Sequence, residues 1–273
     1  VSIVRDGQTG LTIDRVEVQY SLRNLLSSAI LLDDIVLYSP RFTVTEYPDE
    51  WRAEGIRIPK GDPNEPSDGT VTLRRVEIVD GQIAVRPIGQ AYDLAEVQAE
   101  VSVSVTREIN VAVERFAATE TLGGLVVTSL TTHVRFTDER IALDPLAFST
   151  PTSSVQGSLA MLDGGVLESD LKSDSVRIAE LVHYAPVFAG IDISPAIDIR
   201  LVGPLDALRI TGPINDPVAG GADVDVVLNT TGVFSARGKA TLTRLDIAPL
   251  AVRPDLPTRL TGDVQFDLKN DEA

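Results

Sequence analysis

The stretch that decides the fold is Val101–Val105, which reads Val-Ser-Val-Ser-Val and is followed shortly by Ile109–Glu114, which reads Ile-Asn-Val-Ala-Val-Glu. Valine or isoleucine occupies every second position, and polar or small residues fill the positions between. Successive side chains of a β-strand point to opposite faces, so this alternation predicts strands with one apolar and one polar face. Such strands are typical of an antiparallel sheet with one side in water.

The same alternation recurs along the chain. The further matches are Ile141/Leu143, Ile197/Ile199/Leu201, Val224/Val226/Leu228 and Val264/Phe266/Leu268. A parallel sheet buried on both faces would instead read as continuous apolar runs. Aromatic residues make up only 5% of the chain, so its apolar share is mostly aliphatic, and β-branched aliphatics favour strands.

Turn-forming residues separate several of these segments. Asp80-Gly81 predicts a hairpin between Val76–Val79 and Ile83–Val85, because both turn positions tolerate positive φ. Further predicted turns are Thr137–Arg140, Asp163–Gly165 and Thr231-Gly232. Local connections of this kind predict a meander rather than βαβ crossovers.

Two segments change to a helical period. The residues that follow the i, i+3, i+4, i+7 spacing are Leu22, Leu25, Leu26 and Ala29, behind Ser21, and Ile178, Leu181, Val182 and Ala185, before Pro186. The spacing predicts two short amphipathic helices lying against a sheet. The fold class expected is mainly β.

Three irregular segments, near 61–70, 151–154 and 212–221, mark candidate sub-boundaries. None is long enough for a clear interdomain linker, so residues 1–273 are predicted to form one continuous structure.

Charge and composition exclude several classes of function. The chain has 273 residues with a formal net charge of −16, and its pI is near 4.5. This acidity argues against binding nucleic acid and against docking on anionic lipids through a basic patch. The chain has no cysteine and only two histidines, so neither a disulfide framework nor a histidine-rich metal site is expected.

No targeting segment is recognisable in the sequence. The first ten residues have neither a basic region nor an apolar run, and the longest apolar stretch, Ala29–Leu32, is far shorter than the ~20 residues of a membrane span. We therefore expect a soluble segment of a longer protein.

Catalysis is not expected. No Gly-x-Ser-x-Gly or phosphate-binding loop occurs, and His133 and His183 lack a nearby Ser/Asp pattern. Carboxylates that might serve glycoside hydrolysis or hard-cation binding are better explained as water-facing side chains. These are Asp33-Asp34, Asp192/Asp198 and the loop residues Asp62, Asn64, Glu65 and Asp68. No metal or other cofactor is predicted.

The aliphatic faces have two interpretations. They could meet each other in the closed core of a β-sandwich, which composition alone favours. Alternatively, a sheet could curl into an open trough whose apolar lining binds long hydrocarbon chains, since a large exposed apolar area usually marks a binding site.

Several passages, in this order along the chain, resemble the AsmA-like superfamily, and most closely its TamB branch. They are Ser21–Leu26 leading to Ile35–Val44, Val71–Ile78 followed by Asp80–Ile83, Ser154–Leu159, and Leu201–Gly212 with its Gly-Pro-Leu-x-x-Leu segment. The resemblance implies a curled β-sheet in the periplasm, behind an upstream inner-membrane anchor helix. It also implies outer-membrane biogenesis and the movement of phospholipids along an apolar groove, and it supplies no catalytic residues.

We therefore expect a β-taco-like open groove that holds phospholipid acyl chains between the inner and outer membranes and performs no chemistry. The expected partners are phospholipid acyl chains, further segments of the same chain, the anchor helix and an outer-membrane partner protein. The candidate lipid-contacting residues are Val101, Val103, Val105, Ile109, Val111, Val113, Ile141, Leu143, Ile197, Ile199, Leu201, Val264, Phe266 and Leu268. The alternative is a structural or adhesive β-sandwich scaffold of the cell envelope, and a carbohydrate-active enzyme is third.

Overall fold

The computed structural model describes most of the chain as β-strand, which confirms the mainly β prediction. The residues described are all except 1, 6–7, 20–29, 54–55, 60–70, 90, 107, 138, 185, 230, 232–234, 251–257 and 270–273. The chain divides into two compact units, Val1–Asp138 and Glu139–Ala273, called here the first and second units.

The first unit is built on three long antiparallel strands, β9, β10 and β11, with β13 beside β11. Its strands are β1 (Ser2–Arg5), β2 (Gln8–Thr12), β3 (Arg15–Gln19), β4 (Ile30–Leu32), β5 (Asp34–Tyr38), β6 (Arg41–Glu46), β7 (Glu50–Ala53), β8 (Ile56–Pro59), β9 (Val71–Arg86), β10 (Tyr92–Val105), β11 (Ile109–Glu120), β12 (Val126–Val127) and β13 (Ser129–Phe136).

The sheet of the first unit is mixed, so the prediction of a purely antiparallel sheet is wrong there. The short strands β4, β5 and β6 lie one after another along the edge of β9, and each is parallel to it. Parallel neighbours need a long connection, and the chain between β6 and β9 supplies one. The 16-residue length of β9 gives all three short strands a place on the same edge.

The second unit is an antiparallel meander in which each strand pairs with the next along the chain. Its strands are β14 (Arg140–Ser149), β15 (Ser154–Leu162), β16 (Val166–Ser175), β17 (Ala196–Pro204), β18 (Leu208–Asp216), β19 (Gly220–Asn229), β20 (Ser235–Leu245) and β21 (Leu260–Lys269). Among the described strands, β14 and β21 do not pair with each other, so this sheet is open. The predicted turn at Asp163–Gly165 joins β15 to β16.

The hairpin predicted at Asp80-Gly81 is wrong, because β9 continues through both residues. Asp80 has φ 58°, and the register with β10 shifts at this point, from Val97↔Gly81 to Ala99↔Ile78. The positive φ that Asp-Gly tolerates therefore forms a bulge inside a strand rather than a turn between two strands.

Neither predicted helix is confirmed. The first, at residues 22–29, lies outside the described residues. The second, at 178–185, is a 3-10 helix of four residues, Ile178–Leu181, followed by turns and by a second 3-10 helix, Pro186–Phe188. The base of the segment is joined to the returning chain by Val176 N–H, which donates to Pro195 O at 2.9 Å.

The three candidate sub-boundaries predicted from the sequence do not coincide with the division between the two units. Residues 61–70 lie outside the described part, residues 151–153 lie in the connection between β14 and β15, and residue 154 begins β15. Much of 212–221 is strand, since β18 ends at Asp216 and β19 begins at Gly220. The two units meet in sequence at 138/139, a position where the sequence predicted a turn but not a sub-boundary.

Full burial is rare among the described residues of both units. One described core cluster consists of Val97, Ala99 and Ala118, with Ile78 and Phe116 among the partly buried residues packed against it. Among described residues, Val97 and Pro40 are the largest side chains that are completely buried. A sheet packed face to face against a second sheet would bury its large aliphatic side chains, and the described residues do not show this pattern.

Candidate apolar binding face

Cross-strand register places the six first-unit candidates on one face of the sheet. Val101 lies opposite Val113, Val103 opposite Val111 and Val105 opposite Ile109. Directly opposite residues share a face, so the six form one patch across β10 and β11.

The same patch extends onto the neighbouring strands, where sequence reasoning had not placed lining residues. The added residues are Leu32, Ile35, Val71, Leu73 and Val76 from β4, β5 and β9, and Val134 and Phe136 from β13. We call this set, with the six candidates, the first apolar face. In β9 the alternation is interrupted by Arg74-Arg75, where the register with β10 shifts, and this interruption hid the strand's apolar face in the sequence.

The eight second-unit candidates also share one face. A single row of opposite residues crosses all eight strands of this unit: Leu143, Leu159, Ser169, Leu201, Ile210, Val226, Gly238 and Phe266. The other five candidates occupy positions two or four residues away on the same strands, so they point to the same side. We call the residues of this side the second apolar face.

Sequence reasoning had left out the members of the second apolar face on β15, β16, β18, β19 and β20. The sequence did contain a signal for β19, because Val224, Val226 and Leu228 alternate along it as clearly as the candidate residues of the other strands do. On β20 the face carries the small residues Ala236, Gly238 and Ala240 before Leu242, so its apolar pattern is weak.

Large side chains on these two faces remain partly open to solvent. Ile109, Ile141 and Val264 are each 41–42% exposed, and Leu268 is 58% exposed. The buried members of the second apolar face are mostly small or lie in the central strands, as in Val226, Ala236 and Ala240. Each face is therefore an accessible apolar surface rather than a closed core.

The opposite face of the second unit carries charge in complementary pairs. Lys172 lies 3.4 Å from Asp198, and Arg209 donates two hydrogen bonds to Asp225, at 2.8 and 2.9 Å. The hydrogen bonds from Arg209, together with its charge, lower the pKa of Asp225 below its ordinary value. These pairs are exposed and add little stability, and they mark this face as the polar side of the sheet.

The polar side of the first unit has a denser network around Arg75. Its guanidinium contacts Asp34 at 3.1 Å, Glu77 at 2.6 Å and Glu100 at 2.9 Å. These contacts, led by the hydrogen bond to Glu100, raise the pKa of Arg75. The neighbouring Arg74 contacts Asp33 at 2.9 Å.

The carboxylate pairs considered for catalysis are therefore engaged with cations. Asp33 and Asp34 each pair with an arginine, and Asp192 lies 3.5 Å from Arg177. His133 is exposed on β13. His183 is exposed and makes an edge-on ring contact with Tyr184, with centroids 5.1 Å apart.

No group of three or more metal-ligating side chains that could hold an ion is present in the described part of the chain. The loop carboxylates at 62–68 lie outside that part.

Two depressions of the second unit, with volumes of about 810 and 500 Å³, lie over its polar side. Their side-chain lining mixes Asp223, Asp225 and Asp263 with Lys239 and Arg237. Because opposite charges are already paired there, neither depression presents a consistent chemistry for a ligand, and we place the candidate site on the apolar side.

Comparison of the chain with protein-family models, with curated proteins and with solved structures finds no match. Over the described residues, no helix combines the length and the apolar character needed to cross a membrane.

Proposed function

We propose that the two apolar faces hold the acyl chains of phospholipids, in a segment of a bridge-like lipid transport protein of the AsmA-like, TamB type. The observation that carries this proposal is the uninterrupted row of opposite residues across eight strands, from Leu143 to Phe266, on a face whose large side chains are partly exposed. At about 4.8 Å between strands, such a face extends roughly 34 Å across the sheet of the second unit.

Curvature of the sheet is a further part of the proposal. Glycines occupy the second apolar face at 157, 203, 212, 238 and 262. At Gly212, φ is +123° and an added Cβ would stand 2.2 Å from Asp198 O, so no other residue fits without displacing the neighbouring strand. Glycines at such positions let a sheet bend. We propose that they curl the second apolar face into a β-taco-like groove.

Energetics favour a ligand with long chains. Burying apolar surface stabilises a complex by about 0.8 kcal/mol for each methylene, so ten methylenes contribute about 8 kcal/mol. Association costs roughly 4–15 kcal/mol before any net affinity is gained. Short-chain amphiphiles therefore fall below the threshold for stable binding, whereas the acyl chains of membrane phospholipids reach it.

The same proposal includes a periplasmic location, an inner-membrane anchor helix elsewhere in the full protein, an outer-membrane partner protein and a role in outer-membrane biogenesis. Its support is the order of the AsmA-like passages along the sequence. In this setting the charged sides of the sheets face water and the protein performs no catalysis. A scaffold built as a closed sandwich is less well supported, because it would cover the side chains that are partly exposed here.

The test is native mass spectrometry of gently purified protein, with the bound phospholipid counted. Val103→Asp and Val264→Asp place a charge on the first and second apolar faces, and each is expected to reduce lipid occupancy at least tenfold. The matched controls Ser104→Asp and Gln265→Asp place the same charge one residue away, on the polar side, and are expected to retain lipid.

Circular dichroism of the four variants checks that strand content is unchanged. If the wild-type protein carries no phospholipid under conditions that preserve such complexes, or if the apolar-face and polar-face variants lose lipid equally, the proposal is wrong.

A further inference from the structure

The two ends of the strands in the second unit differ in how the chain connects them. The strands β14, β16, β18 and β20 run in the same direction, so their last residues share one end of the sheet, called here the looped end. The connections there include residues 176–195 and 246–259. Connections at the opposite end, called here the turn end, include Asp163–Gly165 and residues 205–207, which are exposed and too short to fold back over the sheet.

Two buried hydroxyl residues extend the second apolar face at the looped end. Val155 belongs to this face, since it lies four residues from Leu159 on β15, and Phe148 of β14 is paired with it. Thr150 and Ser153 continue the two strands two residues beyond that pair, so their side chains point to the same side. They are only 7% and 8% exposed, so another part of the chain covers them.

The segment that covers them is the connection at residues 176–195, called here the strap. Arg177 N–H donates to Ser153 Oγ at 2.8 Å. The carboxylate of Glu180 accepts hydrogen bonds from the hydroxyls of Thr150 and Ser153, at 2.8 and 2.5 Å. Because both hydroxyls point to the apolar side, the strap begins its course on that side of the sheet.

The returning limb of the strap is also attached on the apolar side. Ser194 N–H donates to Asp216 Oδ2 at 2.8 Å. Asp216 is 8% exposed and ends β18 two residues beyond Ile214, on the same side as Ile210 of the second apolar face. The strap therefore crosses the looped end on the apolar side, from β14 and β15 to β18.

The second long connection at this end, residues 246–259, is held in a similar way, although 251–257 lie outside the described residues. Asp246 N–H donates to Ala219 O at 2.8 Å, which joins the connection to the one between β18 and β19. The carboxylate of Asp246 accepts hydrogen bonds from the N–H groups of Ala248 and Thr258, each at 3.0 Å. Long connections fixed by a carboxylate are thus a repeated feature of the looped end.

The length of the second apolar face matches one layer of acyl chains. From the looped end to the turn end, β17 contributes Ile197, Ile199, Leu201 and Gly203 to this face, a span of about 20 Å at ~3.3 Å per residue. A bilayer has a hydrocarbon core of about 30 Å, so the acyl chains of one leaflet extend roughly 15 Å. The chains of a phospholipid can therefore lie along the strands between the two ends of the sheet.

We propose that the strap is the end wall of the lipid site. The methyl ends of the acyl chains lie against it, and the headgroup lies at the turn end beside Asp163–Gly165 and residues 205–207. A charged headgroup under the strap would lose its hydration at a large cost, whereas the methyl ends gain by leaving water. This inference rests on the proposed lipid binding and adds the direction in which a bound lipid lies.

The test is photo-crosslinking of the full chain with two phosphatidylcholine probes. One carries a diazirine at the end of an acyl chain, and the other carries it in the headgroup. After irradiation, peptide mass spectrometry locates the labelled residues. The acyl-end probe is expected to label the strap at least fivefold more than the turns at 163–165 and 205–207, and the headgroup probe is expected to show the opposite preference.

Glu180→Ala removes the carboxylate that holds the strap to Thr150 and Ser153. It is expected to lower the strap's share of the acyl-end label at least twofold, while the total amount of bound lipid stays the same. The matched control is Glu168→Ala, on the polar side of β16, which should leave the distribution of label unchanged. Circular dichroism checks that both variants keep the strand content of the wild type.

Labelling that does not distinguish the two ends of the sheet, or that shows the reverse preference, overturns the inference while lipid binding itself stands. A strap share that Glu180→Ala leaves unchanged also counts against it. Absence of label from both probes, together with a native mass spectrum free of lipid, is the separate failure of the proposed function and removes this inference with it.

Discussion

Thr132 is a polar residue in an apolar position. It lies on β13 opposite Val113 of the first apolar face, and it is only 4% exposed. Its Oγ1 has no hydrogen-bond partner among the described residues. A buried hydroxyl without a partner costs about 1–3 kcal/mol of stability.

We predict that Thr132→Val raises the free energy of unfolding by about 1 kcal/mol, because valine has nearly the same shape and no polar atom to desolvate. The urea midpoint measures the change. Thr131→Val is the control, since Thr131 is exposed on the other side of β13, and it should change stability by less than about 0.5 kcal/mol. A lower midpoint for Thr132→Val would show that the hydroxyl is satisfied in the folded protein.

At the scale of elements, the carboxylate of Glu180 links the connection between β16 and β17 to the connection between β14 and β15. Glu180 accepts hydrogen bonds from Thr150 at 2.8 Å and from Thr152 and Ser153 at 2.5 Å. Partial burial disfavours its charged form, but the hydrogen bonds from Ser153, Thr152 and Thr150 outweigh this effect, so the pKa of Glu180 is lowered from its ordinary value of 4.5. The carboxylate thus joins the 3-10 segment to the β14–β15 connection.

We predict that Glu180→Gln lowers the free energy of unfolding by about 1 kcal/mol at pH 7, a modest loss because solvent screens the carboxylate. Since the folded-state pKa lies below 4.5, the stability that Glu180 contributes is fully present well above pH 4.5 and is lost as the pH falls through the lowered pKa. The difference between wild type and variant should therefore shrink on acidification.

Urea unfolding from pH 7 to pH 3 measures this difference. The control is Glu168→Gln, on an exposed position of β16, which should show no loss at pH 7. A wild-type advantage that stays constant over the whole pH range would contradict the role of the ionised carboxylate.

At the scale of the whole molecule, net charge and exposed apolar surface have opposite effects on association between molecules. The formal charge of −16 keeps copies of the chain apart at pH 7, and the pI near 4.5 marks where that repulsion disappears. Partly exposed residues of the apolar faces, such as Val264 and Leu268, are then free to associate between molecules.

We predict that the particle mass measured by light scattering rises steeply as the pH falls from 7 towards 4.5. A nonionic detergent or added phospholipid should suppress the rise, because either one covers apolar surface. If association near pH 4.5 is indifferent to detergent and lipid, it arises from charge neutralisation alone and the apolar faces take no part.

For the strands with a clear alternation, the sequence by itself determined which residues form the strand and which of its two sides is apolar. Side-chain direction alternates along any extended backbone, so Val101–Val105 and Val264–Leu268 carry that information locally. Wherever the alternation was clear, as in β10, β11, β17 and β21, the candidate residues chosen from it lie on a shared face. Their role in holding lipid stays a prediction.

Only the tertiary structure decided how the strands pair and what remains uncovered. Local patterns cannot distinguish a turn from a bulge at Asp80-Gly81, because both use the same positive φ. They also cannot reveal that β4, β5 and β6 share one edge of β9, or that the apolar faces stay partly exposed. Strand pairing and burial depend on residues that lie far apart in the chain. The physical reason is that the alternation of side chains within one strand does not depend on which strand lies beside it. It also does not depend on whether another layer of the protein covers it.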